Sequence, residues 1–311
     1  MKSIGVVLIN YNSEENTIEC IASLLRSKVK DSFVQIAVVD NSASMKNAAY
    51  FKENLPKNSS SFAIHYIENK INTGFSGGCN AGIKFLIDQK VEGITLLNND
   101  TLVDENLLSE LVLAAENNKS VGIVCPKIYF AKGFEFHSNR YKEQEKGHVI
   151  WYAGGIMDWK NIIGHHRGVD EVDVGQFDER MTTEIATGCC MHIKSEVFKN
   201  IGLFNEKFFL YYEDADFSMR VKKAGFSILY LPSAVLWHKN AGSAGGSGST
   251  LQDYYISRNR MLFGVYYASF RTKLSLVRES IKILTTGRNW QKKGVIDFYL
   301  ISFYKGSYKM K

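Results

Sequence analysis

Apolar and polar positions alternate over the first 126 residues in a way that separates strands from helices. Ile4–Asn10, Val34–Asp40, Phe62–Ile67, Ile94–Asn98 and Val121–Pro126 are short apolar runs, mostly closed by polar or glycine-rich turns. Such runs predict buried strands. Between them, Ile18, Ile21, Ala22 and Leu25 recur at helical spacing behind Ser13-Glu14-Glu15, and Leu107, Leu108, Leu111 and Ala115 do so behind Asp104-Glu105. Both openings place acids in a first turn, where the helix dipole favours them. Strands that alternate with helices imply right-handed crossovers and a mainly parallel sheet over residues 1–126, with helices on its faces.

The pattern weakens from 127 to 181, which predicts a connection carrying a strand or two and a turn at His165-His166-Arg167. Residues 184–193 read as a strand, Ser195–Asn200 as a short helix, Glu213–Ala224 as a longer helix and Ser227–Leu231 as another strand. The uncharged AGSAGGSGST at 241–250 predicts a flexible loop, and a helical pattern returns over 251–311.

In parallel sheets a ligand sits at the carboxyl ends of the strands. Those ends read Asn10-Tyr11-Asn12, Asp40-Asn41-Ser42 and Asn98-Asn99-Asp100. Asp100 is a hard oxygen ligand of the kind Mg2+ or Mn2+ needs beside a diphosphate, although Asn and Asp also end strands as plain turn residues. A carboxylate at Asp40 suits the imide N–H of uracil or thymine, and an Asp-Asn-Ser turn explains the same residues. Asn72 to Gly82 packs four glycines before a helix, which lets backbone N–H groups approach a phosphate or ribose. Glu213, Asp214 and Asp216 open a helix behind Phe208-Phe209-Leu210-Tyr211-Tyr212, where one carboxylate can act as a general base and Asp216 pairs with Arg220. His238, just before the glycine-serine segment, is a candidate metal ligand, and Arg258 and Arg260 are candidates to meet a diphosphate.

Composition narrows the class. Of 311 residues, 45% are hydrophobic and 23% charged, which is globular and excludes a disordered or collagen-like chain. Five cysteines without a CxxC pair suggest neither a disulfide framework nor a zinc site, and a reducing, cytoplasmic setting. The uncharged stretch from Met261 to Phe270 falls short of the ~20 residues of a membrane span, and the opening run reads as a strand rather than a signal peptide. The net charge of +6 is uneven, because residues 251–311 hold 12 basic and 3 acidic side chains. That basic tail carries Trp290, Phe298, Tyr299, Phe303 and Tyr304, which suits an anionic membrane surface better than nucleic acid.

In order along the chain, VVLINYN, VVDNSAS, NTGFSGGCNAGI, LLNNDT, ATGCCMHIKSEVFKNIGLFNEKFFLYYEDADFSMRVKKAGF and LPSAVLWH resemble the family 2 glycosyltransferases of GT-A fold, particularly the bacterial rhamnosyltransferase-like branch. The resemblance covers roughly residues 4–260. It implies a GT-A-like α/β fold over 1–250, with a nucleotide-binding half at about 1–126 and an acceptor-binding half at about 127–250. A basic helical extension would follow over 251–311.

By the same resemblance, Asn10, Asp40, Asn72, Gly77, Gly78, Asn80, Asn99, Asp100 and Arg258 would bind the nucleotide sugar. Asp100 and His238 would hold Mn2+ or Mg2+, Asp214 would be the base, and Gly188, Tyr212 and Glu213 would meet the acceptor. Asn98-Asn99-Asp100 stands for the family's DXD motif with Asp100 as its only acid. The implied reaction is inverting transfer from a nucleoside diphosphate sugar, with dTDP-rhamnose as donor and UDP-linked galactose, glucose or N-acetylglucosamine as alternatives. The implied acceptor is a glycan or lipid-linked glycan of a bacterial surface polysaccharide, and a homodimer is compatible with the pattern. A non-catalytic nucleotide-sugar-binding subunit is the reading from another class. A sugar nucleotidyltransferase is disfavoured, because NYNSEEN lacks a glycine-rich basic signature after the first strand.

Overall fold

All five apolar runs form strands, and burial on both faces explains why four of them are continuous rather than alternating, whereas Phe62–Glu68, at the sheet edge, is only partly buried. The computed structural model describes residues 2–29, 32–240 and 248–309. In chain order, β1 (Lys2–Asn10), α1 (Glu14–Leu24), β2 (Ser32–Asp40), α2 (Met45–Asn54), β3 (Phe62–Glu68), α3 (Gly74–Asp88) and β4 (Gly93–Asn98) build a parallel half-sheet. β5 (Thr101–Val103), α4 (Leu107–Glu116) and β6 (Val121–Phe130) follow in the chain.

β7 (Ile150–Tyr152) pairs with β6, and β8 (Gly155–Asp158) with β9 (Ile163–His166) makes a separate hairpin. β10 (Met181–Thr182), β11 (Cys190–Lys194), α5 (Ser195–Ile201), α6 (Glu213–Lys223) and β12 (Ser227–His238) complete the sheet, and α7 (Thr250–Tyr267), α8 (Phe270–Thr286) and α9 (Asn289–Tyr299) follow. The main sheet has ten strands: eight run in the order β10-β12-β6-β11-β4-β1-β2-β3, and off this path β5 pairs with β12 and β7 with β6. β11 lies antiparallel between β4 and β6, which interrupts the parallel order.

The structure changes four sequence expectations. The strand expected over 184–193 starts only at Cys190, because the preceding segment bonds outside the ladder: Ala186 N–H donates to Ser218 and Gly188 N–H to Asp214. β12 continues past Leu231 through Pro232, with a register shift before Val235. Proline lacks the N–H for a regular ladder, so the sequence reads as a stop where the strand only bulges.

Gly77, Gly78 and Gly82 lie inside α3, not in a loop before it. A Cβ at Gly82 would stand 2.7 Å from the Val7 side chain, so this glycine brings the helix close to the sheet. The fourth change concerns the tail. Met157, Ile162, Ile185, Phe208 and Ala215 share one apolar cluster with Met261, Leu262, Phe263 and Leu276, so a boundary at 250/251 runs through a common core.

Trp290 packs on Tyr254 and Tyr308, and Phe298 and Phe303 pack against that cluster, so these three aromatics are not free to enter a membrane. The glycine-serine loop falls mostly on residues 241–247, outside the described residues, while Ser249 caps α7 by accepting from Gln252 N–H. All five cysteines are buried free thiols. No helix among the described residues is long and apolar enough to cross a membrane.

Candidate active site

The carboxyl ends of β1, β2 and β4 lie side by side, as parallel register requires: Asn10 pairs with Asp40, and Ile9 with Asn98. Asn10 is wholly buried and joins them, donating from Nδ2 to Asp40 Oδ1 (3.1 Å) and accepting at Oδ1 from Thr17 (3.0 Å). Asn99 Nδ2 donates to the same Thr17 hydroxyl (2.8 Å), which fastens the Asn-Asn-Asp turn to α1. Asp40 is 0% exposed, and its carboxylate accepts from Asn10, Ser42 N–H (3.0 Å) and Tyr66 OH (2.9 Å). It stands at the expected strand end but is covered by its partners.

Asn41, which the sequence reading passed over, organises the loop before α3. It donates to Asn72 Oδ1 (3.1 Å) and Gly74 O (2.9 Å) and accepts from Thr73 N–H (3.1 Å).

Asp100 and His238 are brought together by β12 reaching beyond its proline. His238 is its last residue and pairs with Thr101 of β5, which sets its Nε2 3.1 Å from Asp100 Oδ1. Both side chains are under a tenth exposed, Trp151 stands edge-on to the imidazole with centroids 4.6 Å apart, and the buried Nδ1 has no partner. A carboxylate and an imidazole fit Mn2+ or Mg2+ whose other ligands are diphosphate and water oxygens. Among the described residues no group of three or more His, Cys, Asp or Glu forms a larger cage.

Asp214 is tied to the same region through the backbone. Asn98 N–H donates to Cys189 O (2.8 Å), and the neighbouring Gly188 N–H donates to Asp214 Oδ2 (3.0 Å). Asp214 Oδ1 accepts from Ala215 N–H (2.8 Å). Burial raises its pKa from the usual aspartate value, opposed by these backbone donors. A raised pKa makes the carboxylate a stronger base than an exposed aspartate.

The turn that presents Asp214 is strained. Phe209, Tyr211 and Tyr212 have φ of 61°, 68° and 71°, a left-handed conformation that disfavours bulky aromatics. Gly74, itself at φ 73°, admits the turn because a Cβ there would lie 2.4 Å from Phe209 O. On the other side the fully buried Asn259 of α7 donates from Nδ2 to the carbonyls of Phe208 (2.6 Å), Leu210 (2.8 Å) and Tyr211 (2.9 Å).

Other site expectations meet a different geometry. Arg258 is 0% exposed and its guanidinium donates to the carbonyls of Lys207, Phe208, Ser302 and Tyr304, so it is a structural bridge and not a diphosphate ligand. Arg260 is likewise committed to Glu279. Asn80 exchanges hydrogen bonds with the backbone of Phe204, and Gly77 and Gly78 lie buried within α3, so all three shape the helix rather than cradle a phosphate. Glu213 is 5% exposed with Oε2 unpartnered, so it faces inward, and burial followed by the charge of Asp214 raises its pKa well above normal. Tyr212 donates its hydroxyl to Ile162 O (2.7 Å), linking the turn to the β8–β9 hairpin. Asp216 accepts from Arg220 (2.9 Å) and Tyr267 (2.7 Å), so the expected pair with Arg220 forms, but with Asp216 buried rather than on the surface.

Residues 5–202 match the family description Glycosyl transferase family 2. The low-salt glycan biosynthesis hexosyltransferase Agl10 of Haloferax volcanii is 27% identical over 263 residues, covering 84% of this chain and 75% of that protein. An N-acetylglucosaminyl-diphospho-decaprenol L-rhamnosyltransferase of Mycobacterium tuberculosis is 39% identical over 59 residues, 19% of either chain. Among solved structures, GalNAc-T7 with UDP, GalNAc and Mn2+ superposes with a TM-score of 0.57 at 15% identity. That match covers 92% of this chain, which spans 58% of the other. The mannosyltransferase PcManGT of Pyrobaculum calidifontis, with GDP-Man and Mn2+, gives 0.52 at 13% identity, over 99% of this chain and 76% of that one. These likenesses identify the architecture as GT-A.

Proposed function

The chain belongs to glycosyl transferase family 2, and on that premise we propose that it moves one sugar from a nucleoside diphosphate donor to an acceptor hydroxyl with inversion at the anomeric carbon. The observation that carries this is Asp214. It is a partly exposed carboxylate with raised pKa, fixed through Gly188 to the β4 end where Asp100 and His238 meet.

Asp214 accepts the acceptor's hydroxyl proton as that oxygen attacks the anomeric carbon and the diphosphate departs on the opposite face. A single base on one face suffices for one displacement, hence inversion. Asp100 and His238 would hold the divalent cation, which when bound offsets the charge of the leaving diphosphate. Asp40 would select a pyrimidine base, and Asn10, Asn41, Asn72 and Asn99 order the loops around the donor.

For the donor we favour dTDP-rhamnose, supported by the resemblance of the sequence motifs and by the short mycobacterial match. The longer match to a hexosyltransferase supports a UDP-hexose as the alternative. The acceptor is proposed to be a glycan or lipid-linked glycan.

Thermal shift with each nucleotide sugar, with and without Mn2+, identifies the donor by mass action. Asp214→Asn is expected to keep donor binding and lose transfer by ~10²–10⁴-fold. Asp216→Asn, deprived of its pairing with Arg220, is expected to lose stability by ~1–3 kcal/mol and keep turnover. Transfer by Asp214→Asn near the wild-type rate would falsify the mechanism.

A further inference from the structure

α8 carries two apolar faces, and only one is used. Leu276 and Ser280 are buried against the fold, Leu276 over Gly264 of α7 and Ser280 bonded to Tyr299 OH (2.7 Å). Phe270, Leu274, Val277, Ile281 and Leu284 recur at spacings of four and three and are 75%, 46%, 44%, 57% and 36% exposed. That spacing lays them along one stripe facing water. Contiguous apolar patches of this kind mark an interaction surface.

The rim of the stripe is basic. By helical geometry Arg271, Arg278 and Lys282 stand on one flank and Lys273 on the other. The single acid of the helix, Glu279, is taken by the Arg260 guanidinium (2.6 and 2.8 Å) and leaves the rim uncompensated.

We propose that α8 is an in-plane anchor whose apolar stripe enters the outer acyl region of an anionic bilayer while Arg271, Arg278, Lys273 and Lys282 meet lipid phosphates. Charge decides between a bilayer and a second copy of this chain. Two copies meeting through the stripe bring like-charged flanks together, whereas an anionic leaflet meets them with opposite charge. The anchor is joined to the candidate active site, because Thr272 Oγ1 donates to Trp159 O (3.3 Å) in the β8–β9 turn, whose Ile162 O holds Tyr212. A lipid-linked acceptor would thus be met at the surface that α8 binds, a consequence that rests on the proposed function, whereas the anchor itself does not.

The test is flotation of the full chain with phosphatidylcholine vesicles, with and without phosphatidylglycerol. The wild type should float with anionic vesicles and be released by high salt. Leu274→Gln, Val277→Gln and Ile281→Gln combined should reduce binding ~10-fold or more, with melting temperature and UDP or dTDP binding unchanged, since these side chains already face water. Arg271→Gln, Arg278→Gln and Lys282→Gln combined should weaken binding to anionic vesicles alone. The proposal is overturned if the apolar variant floats like the wild type. It is equally overturned if the wild type fails to float while sedimentation shows a dimer that the apolar variant dissolves. Unchanged nucleotide binding in either case separates failure of the anchor from failure of the glycosyltransferase reading.

Discussion

Replacing Asn259 with alanine tests whether α7 acts on catalysis through the strained turn. Its amide serves three carbonyls, and Phe208 O keeps a second donor in Arg258 Nη2 (3.1 Å), so the substitution leaves Leu210 O and Tyr211 O without this partner. A buried acceptor without a partner costs about 1–3 kcal/mol, so two give about 2–6 kcal/mol of lost stability if the turn holds its shape. The turn has reason not to hold it. Phe209, Tyr211 and Tyr212 each occupy the left-handed region, at about 1–3 kcal/mol per residue. Once Asn259 no longer opposes that strain, the backbone relaxes and carries Asp214 with it. Displacement of a base by about 1 Å is worth ~10²-fold in rate. The expected result is a denaturation midpoint lowered by the equivalent of a few kcal/mol, donor affinity unchanged, and kcat reduced about 10²-fold. Urea unfolding, calorimetric titration with UDP or dTDP, and initial rates of diphosphate release measure the three quantities. A variant that loses stability while kcat stays at the wild-type value refutes the positioning role and leaves Asn259 a purely structural residue.

Two further outcomes follow from buried polar groups. Burial raises the Glu213 pKa, so the stability it contributes is complete below its unfolded pKa of about 4.3 and is lost as pH rises through the folded value. Glu213→Gln should therefore exceed the wild type in stability near neutral pH and converge with it toward about pH 4, and a constant difference across a pH series of melts would show that Glu213 is not buried in its charged form. Chelation should abolish transfer and weaken diphosphate binding, and His238→Ala should raise the Mn2+ needed for half-maximal activity by ~10-fold or more. Full turnover in excess chelator removes the metal role from Asp100 and His238.

What the sequence made legible was the part set by local pattern. Parallel strands buried on both faces announce themselves as unbroken apolar runs, and their polar terminators place Asn10, Asp40 and Asp100 at one sheet edge. Glycine clustering was visible but ambiguous, because close helix packing at Gly82 and phosphate approach ask for the same missing Cβ. Arg258 misled for a different reason: its partners at 207–208 and 302–304 are distant in sequence, and nothing local distinguishes a cation aimed at carbonyls from one aimed at a diphosphate. Asn259 carried a faint signal, an asparagine in mid-helix where helix propensity disfavours it. The Phe270–Leu284 spacing was also on view, but a stripe at helical period ordinarily reads as core, and only the packing of Leu276 on the opposite side shows which face is used.

The Arg258 bridge also sets an order of events during synthesis. One guanidinium joins carbonyls at the start of the turn before Asp214 to those of Ser302 and Tyr304, and Tyr304 N–H closes back on Lys207 O (3.2 Å). A chain that folds from its N-terminus as it is made can assemble the nucleotide-side sheet early. The turn that carries Asp214 waits for residues about a hundred positions downstream to emerge and lock it. Sheet assembly and the fixing of the Asp214 turn are thus separated in time, and the parallel strands can be complete before that turn takes its final shape.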